Sequence, residues 1–270
     1  MTPKISAAAD WIQSRANLSP SAAIILGSGL GGLADKIEDP VAIPFGDIPG
    51  FGTSTAAGHR GQLVLGTIDA VPVVAMAGRF HRYEGWSNDD VTFPVDVMHA
   101  MGASRLIVSN AAGGVSPKLS VGDIVVIADH INFMTGTFAW NSKQSVPCFG
   151  RTHSGPTYDT AMSKTAMQVA VDTGFAAYRG TYLATFGPTY ETRAEYRMMR
   201  KLGADVVGMS TVPEVLAASN RGMRVLGLSM VSNVANPDRP VKADHEEVLQ
   251  AGRAAEVKME AIVRAVLGLP

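Results

Sequence analysis

The chain has 270 residues, 46% of them hydrophobic, with a formal net charge of -1. This suffices for a real core in one large α/β domain or two small ones, and the near-neutral, interspersed charge excludes nucleic acid as the expected partner. The single cysteine, Cys148, cannot pair within the chain, the N-terminus lacks the basic-then-apolar layout of a secretory signal, and no apolar run approaches the roughly 18 residues of a membrane span, so a cytoplasmic location is expected.

A helix is predicted over 5–16. The first strand, AAIILG (22–27), runs into GSGLGG (27–32), where Gly27, Gly29 and Gly32 satisfy G-x-G-x-x-G. Three readings stay open: a dinucleotide site, a nest of backbone N–H groups that holds a phosphate with the Ser28 hydroxyl, or a turn that only lets strand meet helix. The dinucleotide reading also wants an acidic residue closing a second strand about 20 residues on. Asp47 is near that distance, but DPVAIPFGDIPGF is broken by Pro40, Pro44 and Pro49 and is not read as a strand. His59, between Gly58 and Gly61, is a polar loop residue and a candidate second phosphate ligand.

Strands QLVLGTI (62–68) and VPVVAMAG (71–78) follow, and the second ends in GRFHRYEG. A guanidinium at the end of an apolar strand needs an anion, so Arg79 suggests phosphate or carboxylate. In extended backbone Arg79, His81 and Tyr83 share one face, with Arg82 and Glu84 pointing elsewhere. The competing reading is a structural Arg–Glu pair with His81 and Tyr83 as filling.

Next come a helix over 92–101, a strand RLIVSNAAG (105–113) closing in small residues, and a strand DIVVIADHI (123–131). An irregular stretch over 133–158 carries Phe138, Trp140 and Phe149, and a loop of that length usually has a function. A helix (159–173) and a strand GTYLATFG (180–187) lead to GPTYETRAE and a helix over 192–202. The strand ADVVGMS (204–210) sets Ser210 just before a helix over 212–221, where Thr211 and Glu214 form a predicted capping box with Pro213 in the first turn. Orphan N–H groups and the helix dipole favour an anion there. The strand RVLGLSMVSN (224–233) and a long helix over 245–267 complete an α/β layout with a sheet buried on both faces. Ligands of such sheets sit beyond the carboxyl ends of the strands, where these polar clusters lie. The six histidines show no metal-ligand spacing, and neither a G-x-S-x-G elbow nor a signal at Cys148 marks a nucleophile.

Taken together, ILGSGLGG, GHRGQL, GRFHRYEGW, NAAGG, VGDIVVIADHIN, GPTYETRAE, GADVVGMSTVPE and HEEVLQAG, in order from about residue 22 to 256, resemble the trimeric, 6-oxopurine-specific purine nucleoside phosphorylases. The resemblance implies one domain over 1–270 with a central mixed, partly barrel-like β-sheet surrounded by helices, and active sites near the contacts of a homotrimer. It implies phosphate on Ser28, Arg79, His81, the Ala111 N–H and Ser210, with His59 nearby and Glu84 orienting the site. Tyr83, Met209 and His245 correspond to ribose contacts. Tyr190, Glu191 and Asn233, beside Val207 and Gly208, correspond to the purine site, so that Asn233, Glu191 and His81 carry the chemistry. No cofactor and no metal are implied; inorganic phosphate is the co-substrate.

A methylthioadenosine phosphorylase is the same-chemistry alternative, opposed by Asn233 where that group carries Asp, and by His245. A nucleoside-binding protein without turnover is the alternative from another class. Two stretches depart from the family pattern. In one, Phe149, with Phe138 and Trp140 as rivals, is the expected aromatic reaching a neighbouring subunit; in the other, VANPDRPVKAD follows Asn233.

Overall fold

The computed structural model describes residues 2–28, 30–56, 58–134, 156–234 and 245–270. The described residues include β1 (Ala22–Leu26), β2 (Glu38–Pro44), β3 (Gln62–Ile68), β4 (Val71–Ala77), β5 (Arg105–Gly114), β6 (Ile124–Asn132), β7 (Ala177–Ala184), β8 (Val206–Gly208) and β9 (Arg224–Val234). Around them pack α1 (Pro3–Ala16), α2 (Asn88–Ala100), α3 (Thr160–Thr173), α4 (Arg193–Leu202), α5 (Val212–Asn220) and α6 (His245–Leu267).

β5 is the hub. It pairs in parallel with β1 and β9 and, through Gly113 and Gly114, antiparallel with β8. β9 continues to β6, β6 to β7 and β7 to β8, which closes a five-stranded ring, while β1, β4, β3 and β2 extend from β5 as an open arm. The sheet is therefore mixed and partly barrel-like. Alternation along β1 explains its unbroken apolar sequence: Ala23 and Ile25 face a core shared with α1, α2 and α5, whereas Ile24 and Leu26 face one shared with α3 and α6.

The segment 38–44 is a strand after all. β2 lies at the edge of the arm, mostly exposed, and among the described residues pairs with β3 alone. An edge strand has one row of backbone groups with no ladder partner, so Pro40 and Pro44 are tolerated where a central strand would exclude them. Its register also slips between Glu38 and Val41, around Pro40. Among the described residues no helix is long and apolar enough to cross a membrane.

Candidate active site

The carboxyl ends of β1, β4, β5, β8 and β9 converge with the segment between β7 and α4 on one cavity, lined among others by Ser28, Arg79, His81, Glu191, Ser210 and Asn233. Ala111, Tyr83, Tyr190, Val207, Gly208 and Met209 line it too. The clusters dispersed through the sequence thus form one site.

The glycine-rich turn after β1 is shaped by packing. A Cβ on Gly27 would stand 2.8 Å from the Asn110 Cα and from the Ser109 carbonyl oxygen, so the chain leaving β1 can cross β5 only as glycine. The Gly32 N–H donates to the Glu256 carboxylate of α6 at 2.8 Å. An anion sits where a dinucleotide would need its pyrophosphate, the helix that follows is a short 3₁₀ one (Gly31–Lys36), and Asp47 lies in another 3₁₀ turn beyond an antiparallel strand. The dinucleotide reading is therefore dropped.

After β4 the chain bends at Gly78, which takes φ 117°, and is extended again at His81. A 3₁₀ turn, Arg82–Glu84, then folds Glu84 back, so that its carboxylate accepts from the His81 backbone N–H (2.9 Å) and bonds His81 Nδ1 (2.8 Å). Tyr83 reaches the cavity through that turn, and not by strand alternation as the spacing predicts. It stacks on His81 with ring centroids 4.6 Å apart, and His81 stacks on His59 at 5.2 Å. Burial alone would raise Glu84, but bonds from His81 and from the Thr55 N–H and hydroxyl outweigh it and hold the carboxyl at about 2. It is a fixed anion under His81. His59 is lowered too, to about 3, but here because it is buried and lies beside His81 and Arg79, which disfavour its charged form. Neutral at ordinary pH, it stands behind the cavity wall with Nε2 3.4 Å from the Ser28 hydroxyl. Burial, chiefly, pushes the Tyr83 phenol up to about 12.

Arg79 is 1% exposed and already paired. Its Nη1 donates to Ser210 Oγ (3.3 Å), Thr211 Oγ1 (3.1 Å) and Glu214 Oε1 (3.2 Å), and its Nη2 to the Ser109 carbonyl. The helix does start at Val212 with Pro213 in its first turn, but the predicted capping box is absent. Thr211 has φ 76° and ψ -52° and makes no side-chain cap; the Val212 N–H bonds the Ser210 carbonyl at 2.8 Å, a γ-turn of the rare positive-φ kind. Such a backbone costs on the order of 1–3 kcal/mol in a β-branched residue and persists only when its surroundings over-determine it. Here they do: the Thr211 hydroxyl is held by Arg79, by Asn110 Nδ2 (2.8 Å) and by Ser210 (3.1 Å). Glu214 bonds the guanidinium and does not cap the helix.

The opposite end of the cavity is built by β9 and the stretch before α4. Ala112 faces Val231 while Gly113 faces Asn233, so Ser232 is one residue too many on β9 and the bulge re-aims Asn233. Ser232 Oγ, with one proton to give, has two acceptors, Asn233 Oδ1 at 3.0 Å and the Ala112 carbonyl at 3.2 Å. Glu191 accepts from Thr185 Oγ1 at 3.2 Å and from the phenol of Tyr196, whose own ionisation is pushed up by burial and by that carboxylate. Reading the sequence misses Tyr196. The only signal for it is its position, one α-helical turn after the cap residue Thr192 and therefore above Glu191. His245 opens α6, and its side chain, like Phe138, Trp140 and Phe149, lies outside the described residues.

Comparison with known proteins decides the lineage. The model of the phosphorylase superfamily matches residues 21–268. The chain is 46% identical to purine nucleoside phosphorylase 1 of Bacillus subtilis over 99% of its own length and 98% of that protein's. The chain belongs to the phosphorylase superfamily, in its purine nucleoside phosphorylase branch. It is accordingly a pentosyltransferase. The rat purine nucleoside phosphorylase is 44% identical over 94% of this phosphorylase and 91% of its own chain. Among solved structures, Schistosoma mansoni purine nucleoside phosphorylase in complex with adenosine superposes with a TM-score of 0.87 at 39% identity, covering 98% of this chain and 97% of that one. The Schistosoma enzyme in complex with inosine gives 0.87 at 37% identity, covering 99% and 96%.

Proposed function

We propose that this phosphorylase acts on 6-oxopurine ribo- and deoxyribonucleosides such as inosine and guanosine, releasing the free base and the pentose 1-phosphate, with inorganic phosphate as co-substrate and no cofactor. The observation that carries the reading is the meeting, in one cavity, of an anion-binding end (Ser28, Arg79, His81, Ser210, the Ala111 backbone) with a base-binding end (Glu191, Asn233). Tyr83 and Met209 lie among the same lining residues and suit the ribose between the two ends.

The reaction follows from these residue types. Phosphate attacks the anomeric carbon as the N-glycosidic bond breaks, through an oxocarbenium-like pentosyl cation flanked by phosphate and by a purine gaining negative charge. Positioned donors at the phosphate end contribute orientation and preorganised electrostatics. Because Glu84 is ionised and only accepts, His81 Nδ1 carries the hydrogen, which leaves Nε2 of the neutral ring to accept from a phosphate hydroxyl. At the other end Asn233 donates to N7 and Glu191 accepts from N1–H, contacts that strengthen as the base takes up charge.

The same pair sets selectivity. A 6-aminopurine offers an acceptor at N1 to the Glu191 acceptor, and a buried mismatch of that kind costs on the order of a hundredfold. Inosine is therefore the preferred substrate over adenosine, and Asn233→Asp, which creates an acceptor for a 6-amino group, shifts the ratio of kcat/KM toward adenosine. An unchanged ratio would remove Asn233 from the base site.

The assembly that fits is a homotrimer in the cytoplasm. Phe133 (44% exposed), Phe186 (41%) and Tyr190 (49%) are large exposed apolar side chains, and Tyr190 also lines the cavity, so their burial by a neighbouring subunit suits them. An aromatic of the 133–158 stretch, Phe149 or else Phe138 or Trp140, would enter the neighbour's ribose site.

A further inference from the structure

Glu214 lies on α5, away from any substrate contact, yet its side chain is 2% exposed and its Oε1 is 3.2 Å from Arg79 Nη1. The other carboxylate oxygen, Oε2, is buried with no hydrogen-bond partner among the described residues, so the guanidinium is the partner that compensates the charge. Arg79 itself is buried, lines the cavity, and shares Nη1 between Glu214 and the two hydroxyls of the strained turn. A cation in this setting answers to two anions: the fixed carboxylate behind it and the phosphate in front. In a water-poor site such charges are weakly screened, and each anion lowers the attraction left for the other.

We propose that Glu214 is a positioning residue with a counter-charge role: it holds the Arg79 fork in place while weakening its pull on phosphate, so that phosphate and the pentose 1-phosphate product bind reversibly. The inference rests on the phosphorolysis reading. Its consequence has a sign that a purely structural ion pair does not share. Glu214→Gln keeps an oxygen to accept from Nη1 and removes the charge, so phosphate binds more tightly. Glu214→Asp keeps the charge and loses one methylene of reach, so phosphate binding stays close to that of the unaltered protein.

The test is phosphate titration of the full-length protein by thermal shift without nucleoside, together with the KM for phosphate at saturating inosine. Glu214→Gln is expected to lower the phosphate constant at least about fivefold and to enlarge the phosphate-induced rise in Tm, with the inosine KM within about twofold of the unaltered value and Glu214→Asp within about twofold throughout. Weaker or unchanged phosphate binding in Glu214→Gln, or equal behaviour of the Gln and Asp variants, would overturn the proposal. Should Glu214→Gln unfold in phosphate-free buffer, saturating phosphate is expected to restore a cooperative melt by supplying the missing counter-charge; a melt that phosphate does not restore also overturns it. The unaltered protein separates the two claims. Phosphate binding without base release would defeat the phosphorolysis reading and leave the Glu214 comparison standing, whereas no phosphate-induced shift would defeat both.

Discussion

The Ser232 hydroxyl lies 3.0 Å from Asn233 Oδ1 and 3.2 Å from the Ala112 carbonyl oxygen, and the bulge that makes Ser232 the extra residue of β9 is what aims the Asn233 amide at the cavity. The one hydroxyl proton is shared between these two acceptors, and its bond to Oδ1 favours the amide orientation that turns Nδ2 to the base. Ser232→Ala removes that constraint and keeps the bulge. A neutral hydrogen bond contributes about 0.5–1.5 kcal/mol, so kcat/KM for inosine should fall about three- to tenfold. The inosine-to-adenosine ratio should narrow in the same assay, since a rotated amide no longer opposes the 6-amino group.

The Thr211 hydroxyl is the shared partner that sustains a strained γ-turn. Thr211→Val keeps the β-branch and leaves Arg79 Nη1 and Asn110 Nδ2 without it, at a cost of about 1–3 kcal/mol in urea unfolding. Thr211→Ser keeps the hydroxyl and should lie within about 1 kcal/mol of the unaltered protein. Equal destabilisation by both would show that the side chain's shape, and not its hydroxyl, holds the turn.

Among the groups that make stability fall with acid, two stand beside the cavity, and their windows overlap. His59 is held near 3, below its ordinary 6.5, so the unfolded chain binds the proton first and stability declines as pH falls from about 6.5 toward 3. Glu84, held at about 2 against an ordinary 4.5, stabilises fully above 4.5, and that contribution is lost as pH falls from there to 2. The urea midpoint followed from pH 7.5 to 4 should therefore drop already between 6.5 and 5. His59→Gln should make that limb shallower, leaving the part due to His130, which burial also holds low, and the Glu84 loss below 4.5.

Tyr196 and Glu191 offer a separate check on the base end. Tyr196→Phe removes the phenol donor from the carboxylate. Steady-state kinetics should show the inosine KM raised about tenfold or more, the effect of one hydrogen bond to a charged group, with the phosphate KM unchanged. A change in the phosphate KM instead would mean that Glu191 and the anion site are one unit.

Much of this architecture is legible in the sequence because it follows from local rules. Apolar runs such as AAIILG and RLIVSNAAG can only be strands covered on both faces, and the polar clusters that end them must then share one edge of the sheet. What escapes is set by contacts between distant residues. β2 looks broken because proline forbids a central strand, and only the sheet order reveals it as an edge. Thr211 and Glu214 have capping-box spacing, but a buried Arg79, 135 residues before Glu214, outcompetes the helix end for both side chains. The Ser232 bulge depends on the register between β9 and β5, which no single strand encodes.

The most direct test of the account is hypoxanthine release from inosine with and without inorganic phosphate, run beside adenosine and methylthioadenosine. The account predicts release that requires phosphate and yields ribose 1-phosphate in equal amount, with adenosine and methylthioadenosine turned over at least about a hundredfold more slowly. Release that proceeds equally without phosphate, or a preference for either aminopurine nucleoside, would contradict it.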